Sequence, residues 1–235
     1  MSVAAIEAKL YPSLSSRDPV AVFLRLLEAE VSPESDVLDL GAGAGKNAYA
    51  LKGKVRQIVG VDRDARVVDN PLLDRGVVST SNQLPFEDES FDVVFCIYVL
   101  EHVDDPEQFV DEIRRILRPG GRFLALTPNR YHYVPAIASL TPTSFHKWLN
   151  KRRGREVEDT FPTVYLLNTR RTVLRQFAQG FECLRLQMIE VAPNYLRFWT
   201  PAFLLGVLYE RLVNTFESLA AFRVNILCVF RKLPD

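Results

Sequence analysis

Apolar and polar positions alternate in blocks that switch between two periods along this chain. After Asp18-Pro19, an N-cap followed by Pro at the first helical position, Val20, Phe23, Leu24 and Leu27 recur at helical spacing. Asp36 to Leu40 (DVLDL) predicts a strand that runs into the Gly-rich turn Gly41 to Lys46, with a helix over about Lys46 to Lys52. Gln57 to Val61, closed by Asp62, predicts a second strand, and Gly76 to Thr80 a third. Phe91 to Tyr98 (FDVVFCIY) is a continuous apolar, β-branched and aromatic run, as expected of a central parallel strand covered on both faces. Asp105-Pro106 caps the next helix, with Gln108 in a capping-box position. Its buried stripe is Phe109, Val110, Ile113, Ile116 and Leu117, and Pro119-Gly120-Gly121 stops it before a strand at Arg122 to Thr127.

Strands alternating with helices over Asp36 to Asn129 predict an α/β fold with a parallel sheet. Beyond that block the pattern loosens. Residues 130–168 are irregular and rich in Tyr, His, Pro, Thr and Arg. A helix over Thr169 to Gln179 ends at Gly180. Phe181 to Glu190 and Arg223 to Lys232 predict two more strands, with an apolar helix between them from Thr200-Pro201 to about Leu219. The expected organisation is one domain over 1–235. It has a ligand-binding core at 36–129, an inserted segment at 130–168 and an inserted apolar helix at 200–219.

Composition narrows the class. At 235 residues, with 48% hydrophobic and 25% charged, the chain is globular rather than disordered. Twenty-nine basic residues balance 29 acidic ones, which argues against a general nucleic-acid binder. Cys96, Cys183 and Cys228 form no CxxC and have no metal-type spacing, and read as buried thiols in a reducing compartment. Met1 to Leu10 carries Glu7 and Lys9 without a long apolar core, which is not a signal-peptide pattern. Phe198 to Tyr209 is free of charge but shorter than the ~20 residues of a transmembrane helix. The expectation is a cytoplasmic protein that admits peripheral membrane contact or a homodimer.

The chemistry lies in VLDLGAGAGKNA (Val37 to Ala48) followed by IVGVDRD (Ile58 to Asp64). Glycines at a strand end allow positive φ and close backbone approach, and the following helix start offers N–H groups. Asp62, 21 positions after Gly41, is placed to hold a ribose through its hydroxyls. A P-loop is excluded, because Leu40 stands where a Gly is needed and Asn47 where Ser or Thr is needed. The dinucleotide pattern is damaged, since the third glycine, Gly45, arrives one residue early. Asp39, two residues before Gly41, suits a ligand with an amine or other cation better than a pyrophosphate.

With these pieces the sequence resembles the class I S-adenosylmethionine-dependent methyltransferases, closest to the ubiquinone and menaquinone biosynthesis branch. The matching motifs are LDLGAGAG (Leu38 to Gly45), VDRD (Val61 to Asp64), LPFEDESFDVV (Leu84 to Val94), VLEHVDDPEQ (Val99 to Gln108) and LRPGGRFLALTPN (Leu117 to Asn129). The resemblance implies a three-layer α/β/α Rossmann-like fold with a mostly parallel seven-stranded sheet and an antiparallel C-terminal end. It implies S-adenosyl-L-methionine as cofactor. Gly41, Ala42 and Gly43 would pass under its methionine part, Asp39 would meet its amino group, Asp62 its ribose and Arg63 its adenine. Tyr98 would stand at the cofactor too, in the place of an acidic residue found in some quinone O-methyltransferases, so no metal site is expected. The usual acidic adenine partner is replaced by Thr80, with Ser81 and Asn82 following; Asn82 is favoured, since its side-chain oxygen accepts.

Methyl transfer from a sulfonium needs alignment and, for a poor nucleophile, a base. His102 is the base candidate; the competing reading has Glu101-His102 bracing the loop before Asp105. Tyr131, His132, His146 and Tyr165 follow the last parallel strand and are the candidates for contacting a small-molecule, lipid- or saccharide-linked acceptor, most simply at oxygen. The basic run Lys147 to Arg155 suits an anionic headgroup or a solvated patch. Two other classes stay open: a nicotinamide-dependent Rossmann oxidoreductase, and a non-catalytic module that binds the cofactor and docks a partner through its apolar helix.

Overall fold

The computed structural model describes residues 2–12, 18–45, 51–135 and 163–234. The seven strands are β1 (Asp36–Leu40), β2 (Gln57–Asp62), β3 (Arg75–Val78), β4 (Phe91–Ile97), β5 (Leu117–Pro128), β6 (Phe181–Ile189) and β7 (Asn225–Lys232). They form one sheet in the order β3-β2-β1-β4-β5-β7-β6. The first five are parallel, and β7 runs antiparallel to both β5 and β6. The order in which the chain adds strands reverses between the parallel neighbours β1 and β4, so the carboxyl ends of these two strands open the crevice where open α/β sheets bind ligands.

The helices are α1 (Val3–Leu10), α2 (Pro19–Ala29), α3 (Pro106–Ile116), α4 (Arg170–Gln176) and α5 (Thr200–Thr215). Strand alternation feeds two cores. Leu38, Val94, Cys96 and Phe123 face α3 and α4. Val37, Val93, Phe95 and Leu124 face Phe23 and Leu27 of α2. This is the three-layer α/β/α arrangement expected from the sequence. Asp18 caps α2 by accepting from the Ala21 amide, and Asp105 caps α3 by accepting from the Gln108 amide.

Several sequence expectations are corrected here. Cys183 is exposed, because β6 is the edge strand and turns four consecutive residues outward; Cys96 and Cys228 are buried as expected. The Gln108 side chain accepts from Asn82 Nδ2 (3.3 Å), so its amide is turned toward the loop after β3. The strand before Asn129 begins at Leu117, with a register shift between Phe91 and Val93 that absorbs Pro119-Gly120-Gly121. The apolar helix ends at Thr215, and Glu217–Phe222 forms a separate 3-10 turn. Most of the helix expected after Lys46, together with His146 and the basic run from Lys147, lies outside the described residues.

Helix α5 does not lie on the sheet. It buries Phe203, Gly206, Glu210 and Val213, and Phe203 packs with Tyr11 and α1 to form a small cap. Tyr11 donates to the buried carboxylate of Glu210 at 3.0 Å. Among the described residues no helix is long and apolar enough to cross a membrane.

Candidate active site

The turn after β1 is drawn tightly over the end of β2. The Gly41 and Ala42 amides donate to the Val61 carbonyl at 2.8 and 3.3 Å. The Asp62 carboxylate then accepts from Gly43 N–H through Oδ2 and from Asp64 N–H through Oδ1, both at 2.8 Å. Gly41 and Gly43 have φ of 82° and 52°, values that favour glycine. At Gly41 a Cβ would also lie 2.4 Å from Val99 Cγ2, so the turn packs directly on the loop after β4.

Asn70 completes the turn from below, and nothing in its sequence context marked it. Its buried amide nitrogen donates to the carbonyls of Ala42 and Gly43 (3.3 and 3.2 Å), and its oxygen accepts from Leu72 N–H (2.9 Å). The far wall is held by Arg115. This guanidinium bonds the carbonyls of Leu84 and Phe86 and the carboxylates of Asp88 and Glu112, while Glu112 accepts from Leu84 N–H. Hydrogen bonding to Arg115 holds the Glu112 carboxyl below its usual range.

These walls enclose a cavity of about 460 Å³ at the carboxyl ends of β1, β2 and β4. Gly41, Asp62, Arg63, Ser81, Asn82, Tyr98 and His102 all line it. Asp39 is buried at the end of β1 and Ala42 is buried in the turn, neither of them on the lining. Tyr98 holds a left-handed φ of 60° while its amide still donates to Leu126 (2.8 Å), which turns the chain out of β4 toward the cavity. One N–H of Asn82 is taken by Gln108, and its side-chain oxygen is a hydrogen-bond acceptor on the cavity lining. An adenosyl group carrying an amino acid and a cation fits this residue set: the Asp62 carboxylate beside the turn, Gly41 with no room for a Cβ, and a buried Asp39 beyond it.

The acceptor-side candidates separate. Tyr131 is exposed. Tyr165 is half-buried, with φ of 54°, and burial raises its phenol pKa. His132 is 1% exposed. Its Nδ1 accepts from Val134 N–H (3.3 Å), so the neutral ring carries its proton on Nε2, which faces Glu190 Oε2 at 3.6 Å. Burial lowers the His132 pKa to about 4 and raises that of Glu190 to about 8. Both groups are therefore neutral near pH 7, and the pair is not an ion pair. With its Nδ1 lone pair committed to Val134, His132 is shut in beside Glu190, and among the described residues neither its Nε2 nor Glu190 Oε2 has a hydrogen-bond partner, so its role is burial rather than acceptor contact. Sequence reading could not separate this role from acceptor contact, because Glu190 lies 58 positions away.

Glu101 was read only as a possible brace, and it is buried. Its backbone carbonyl accepts from Val164 and Tyr165 (2.8 and 3.2 Å), tying the chain that returns from the inserted segment to the loop after β4. Among the described residues no group of three or more His, Cys, Asp or Glu could hold a metal ion.

Known proteins share part of this sequence and its fold. Residues 38–125 match the family described as a methyltransferase domain. The uncharacterized methyltransferase YcgJ of Bacillus subtilis is 36% identical over 121 residues, 48% of this chain and 46% of that protein. The ubiquinone/menaquinone biosynthesis C-methyltransferase UbiE of Hahella chejuensis is 37% identical over 105 residues, 39% of this chain and 42% of that protein. The chain thus spans less than half the length of these curated relatives. The YcgJ crystal structure superposes with a TM-score of 0.52 at 20% identity, covering 92% of this chain and 99% of that one. An S-adenosylmethionine-dependent methyltransferase from Mesorhizobium loti superposes with a TM-score of 0.56 at 18% identity, covering 93% and 100%.

Residues 38–125 therefore carry the sequence pattern of a methyltransferase domain, on a fold shared with solved S-adenosylmethionine-dependent methyltransferases. The similarity to the ubiquinone/menaquinone biosynthesis C-methyltransferase extends over 105 residues. The strand order also weighs against a nicotinamide dinucleotide. The dinucleotide fold runs 3-2-1-4-5-6, whereas here an antiparallel β7 is inserted between β5 and β6.

Proposed function

We propose that this chain transfers the methyl group of S-adenosylmethionine to a small-molecule or lipid-linked acceptor, at oxygen. The observation that carries this reading is the cavity in which the Gly41 turn, Asp62 and His102 converge. When bound, the donor supplies a sulfonium methyl and a neutral thioether leaving group. Asp62 orients the ribose, Asn82 accepts from adenine, Arg63 packs beside it, and Asp39 faces the amino group. His102, which lines the same cavity, takes the acceptor's proton as a general base. UbiE of Hahella chejuensis is by name a C-methyltransferase. An acidic carbon would need the same base, so carbon is the rival atom.

An apolar acceptor is supported by the cap. The cap joins α1 to the start of α5 through Tyr11, Ala192 and Phe203. The outer face there exposes Phe198, Trp199, Leu204, Leu205 and Leu208. Residues 130–168 and 200–219 are where acceptor choice would reside.

Calorimetry with S-adenosylmethionine tests the donor site; no binding, or equal binding by Asp62→Ala, sinks the reading. Radiolabelled donor incubated with a cell extract then reports whether label enters lipid, saccharide or protein. His102→Ala should bind donor normally and transfer slowly; unchanged transfer would remove His102 as the base.

A further inference from the structure

Behind the wall that carries His102 lies a carboxylate with its own chain of donors. Glu101 is 6% exposed and sits in the turn Leu100–His102. Its neighbours Val99 and His102 line the donor cavity, as does Val164, whose amide donates to the Glu101 carbonyl. Its side chain points instead toward β5, where Thr127 Oγ1 lies 3.1 Å from Oε2.

The direction of this hydrogen bond is fixed by the next residue along. Asn168 Nδ2 donates to Thr127 Oγ1 (2.7 Å) and to the Pro128 carbonyl (2.9 Å), and only a nitrogen can serve a carbonyl. Thr127 therefore receives a proton from Asn168 and must send its own to Glu101. A relay that ends with a proton aimed at a carboxyl oxygen stabilises the ionised form. Burial acts in the other direction and raises the Glu101 pKa; the adjacent His102 and the Thr127 hydroxyl oppose it. Among the described residues, no lysine or arginine is paired with Glu101.

Glu101 has company. Asp39, at the end of the adjacent strand β1, is 2% exposed, and the buried Cys96 thiol, its pKa pushed up chiefly by burial, lies close enough to both carboxylates for them to add to that shift. Two buried acids thus lie near the carboxyl ends of β1 and β4, where the strand order switches from one side to the other. An anion held in a low-dielectric interior favours a cation brought to the neighbouring cavity.

We propose that Glu101, held by the Thr127–Asn168 relay, is a specificity-determining residue of the donor site that favours the cationic sulfonium over its neutral thioether product. The proposal rests on the methyl-donor reading of the cavity. It gives the site a way to release product: when the methyl leaves, the positive charge leaves with it, and the attraction to Glu101 is lost.

The test is calorimetry with three probes: S-adenosylmethionine, sinefungin (an ammonium in place of the methylsulfonium) and S-adenosylhomocysteine, neutral at sulfur. Glu101→Gln should weaken the two cations about tenfold, the size of a charge interaction across ~10 Å at an effective dielectric of ~20. S-adenosylhomocysteine should change less than about twofold, which also certifies the fold. Thr127→Val, which removes the last donor of the relay, should shift the same ratio in the same direction by less, and it carries the test if Glu101→Gln does not fold. Equal weakening of all three probes, or no change in the ratio, overturns the proposal. If the wild-type chain binds none of the three, the donor reading itself has failed.

Discussion

Asp62 Oδ2 accepts the Gly43 amide proton at 2.8 Å, so the residue expected to hold the ribose also holds the glycine turn in shape. The two jobs use one carboxylate. Asp62→Ala should therefore lose donor binding through both, by roughly 1.5–3 kcal/mol for each charged hydrogen bond removed. Asp62→Asn keeps one acceptor oxygen and should lie between. Calorimetric Kd values for the two variants check this; equal affinities would separate Asp62 from the ligand.

Gly41 is constrained twice, by φ of 82° and by Val99 Cγ2 at 2.4 Å from where a Cβ would stand. Gly41→Ala should cost about 1–3 kcal/mol of stability. Adding Val99→Ala should relieve the clash but not the backbone strain. Urea denaturation of the single and double variants should show partial recovery; full recovery would mean the turn tolerates a side chain at that φ.

Asn70 supplies hydrogen bonds to Ala42, Gly43 and Leu72 from a buried position. Asn70→Ala leaves two carbonyls and an amide without that partner, at about 1–3 kcal/mol for a buried group left unsatisfied. Donor affinity should fall with stability, because the same turn faces the cavity. A variant that melts earlier but binds donor at the wild-type Kd would contradict this coupling.

The His132–Glu190 pair predicts a pH signature. Burial raises the Glu190 pKa from 4.5 to about 8, so the folded state holds a proton that the unfolded chain has released. That contribution is complete below pH 4.5 and is lost as pH rises through about 8. His132, lowered from 6.5 to about 4, acts oppositely: its contribution is present above 6.5 and is lost as pH falls toward 4. Between 4.5 and 6.5 the two slopes oppose each other; between 6.5 and 8 only Glu190 titrates. Glu190→Gln should therefore gain stability relative to wild type as pH rises from 6.5 to 8, read as the difference in Tm. A constant difference across that window would show that Glu190 is already ionised in the fold.

The sequence determined the donor half of this protein. Local constraints wrote it there: glycines at a strand end, an acid at the end of the next strand, Asp-Pro helix starts, and continuous apolar runs for strands covered on both faces. Each works over a few residues, so each is visible in order along the chain. The strands and most helices fell where these signals put them. What only the tertiary structure decided are contacts between distant positions: Asn70 under the Ala42–Gly43 carbonyls, Val99 against Gly41, and Asn168 relaying through Thr127 to Glu101. Burial is equally non-local. His132 and Glu101 looked alike as polar residues after strands, yet each became a buried group with fixed partners once β5, β6 and the returning chain came together. Periodicity reports which face of an element is apolar. It does not report which polar group will be shut in, because the element that shuts it in comes from elsewhere in the chain.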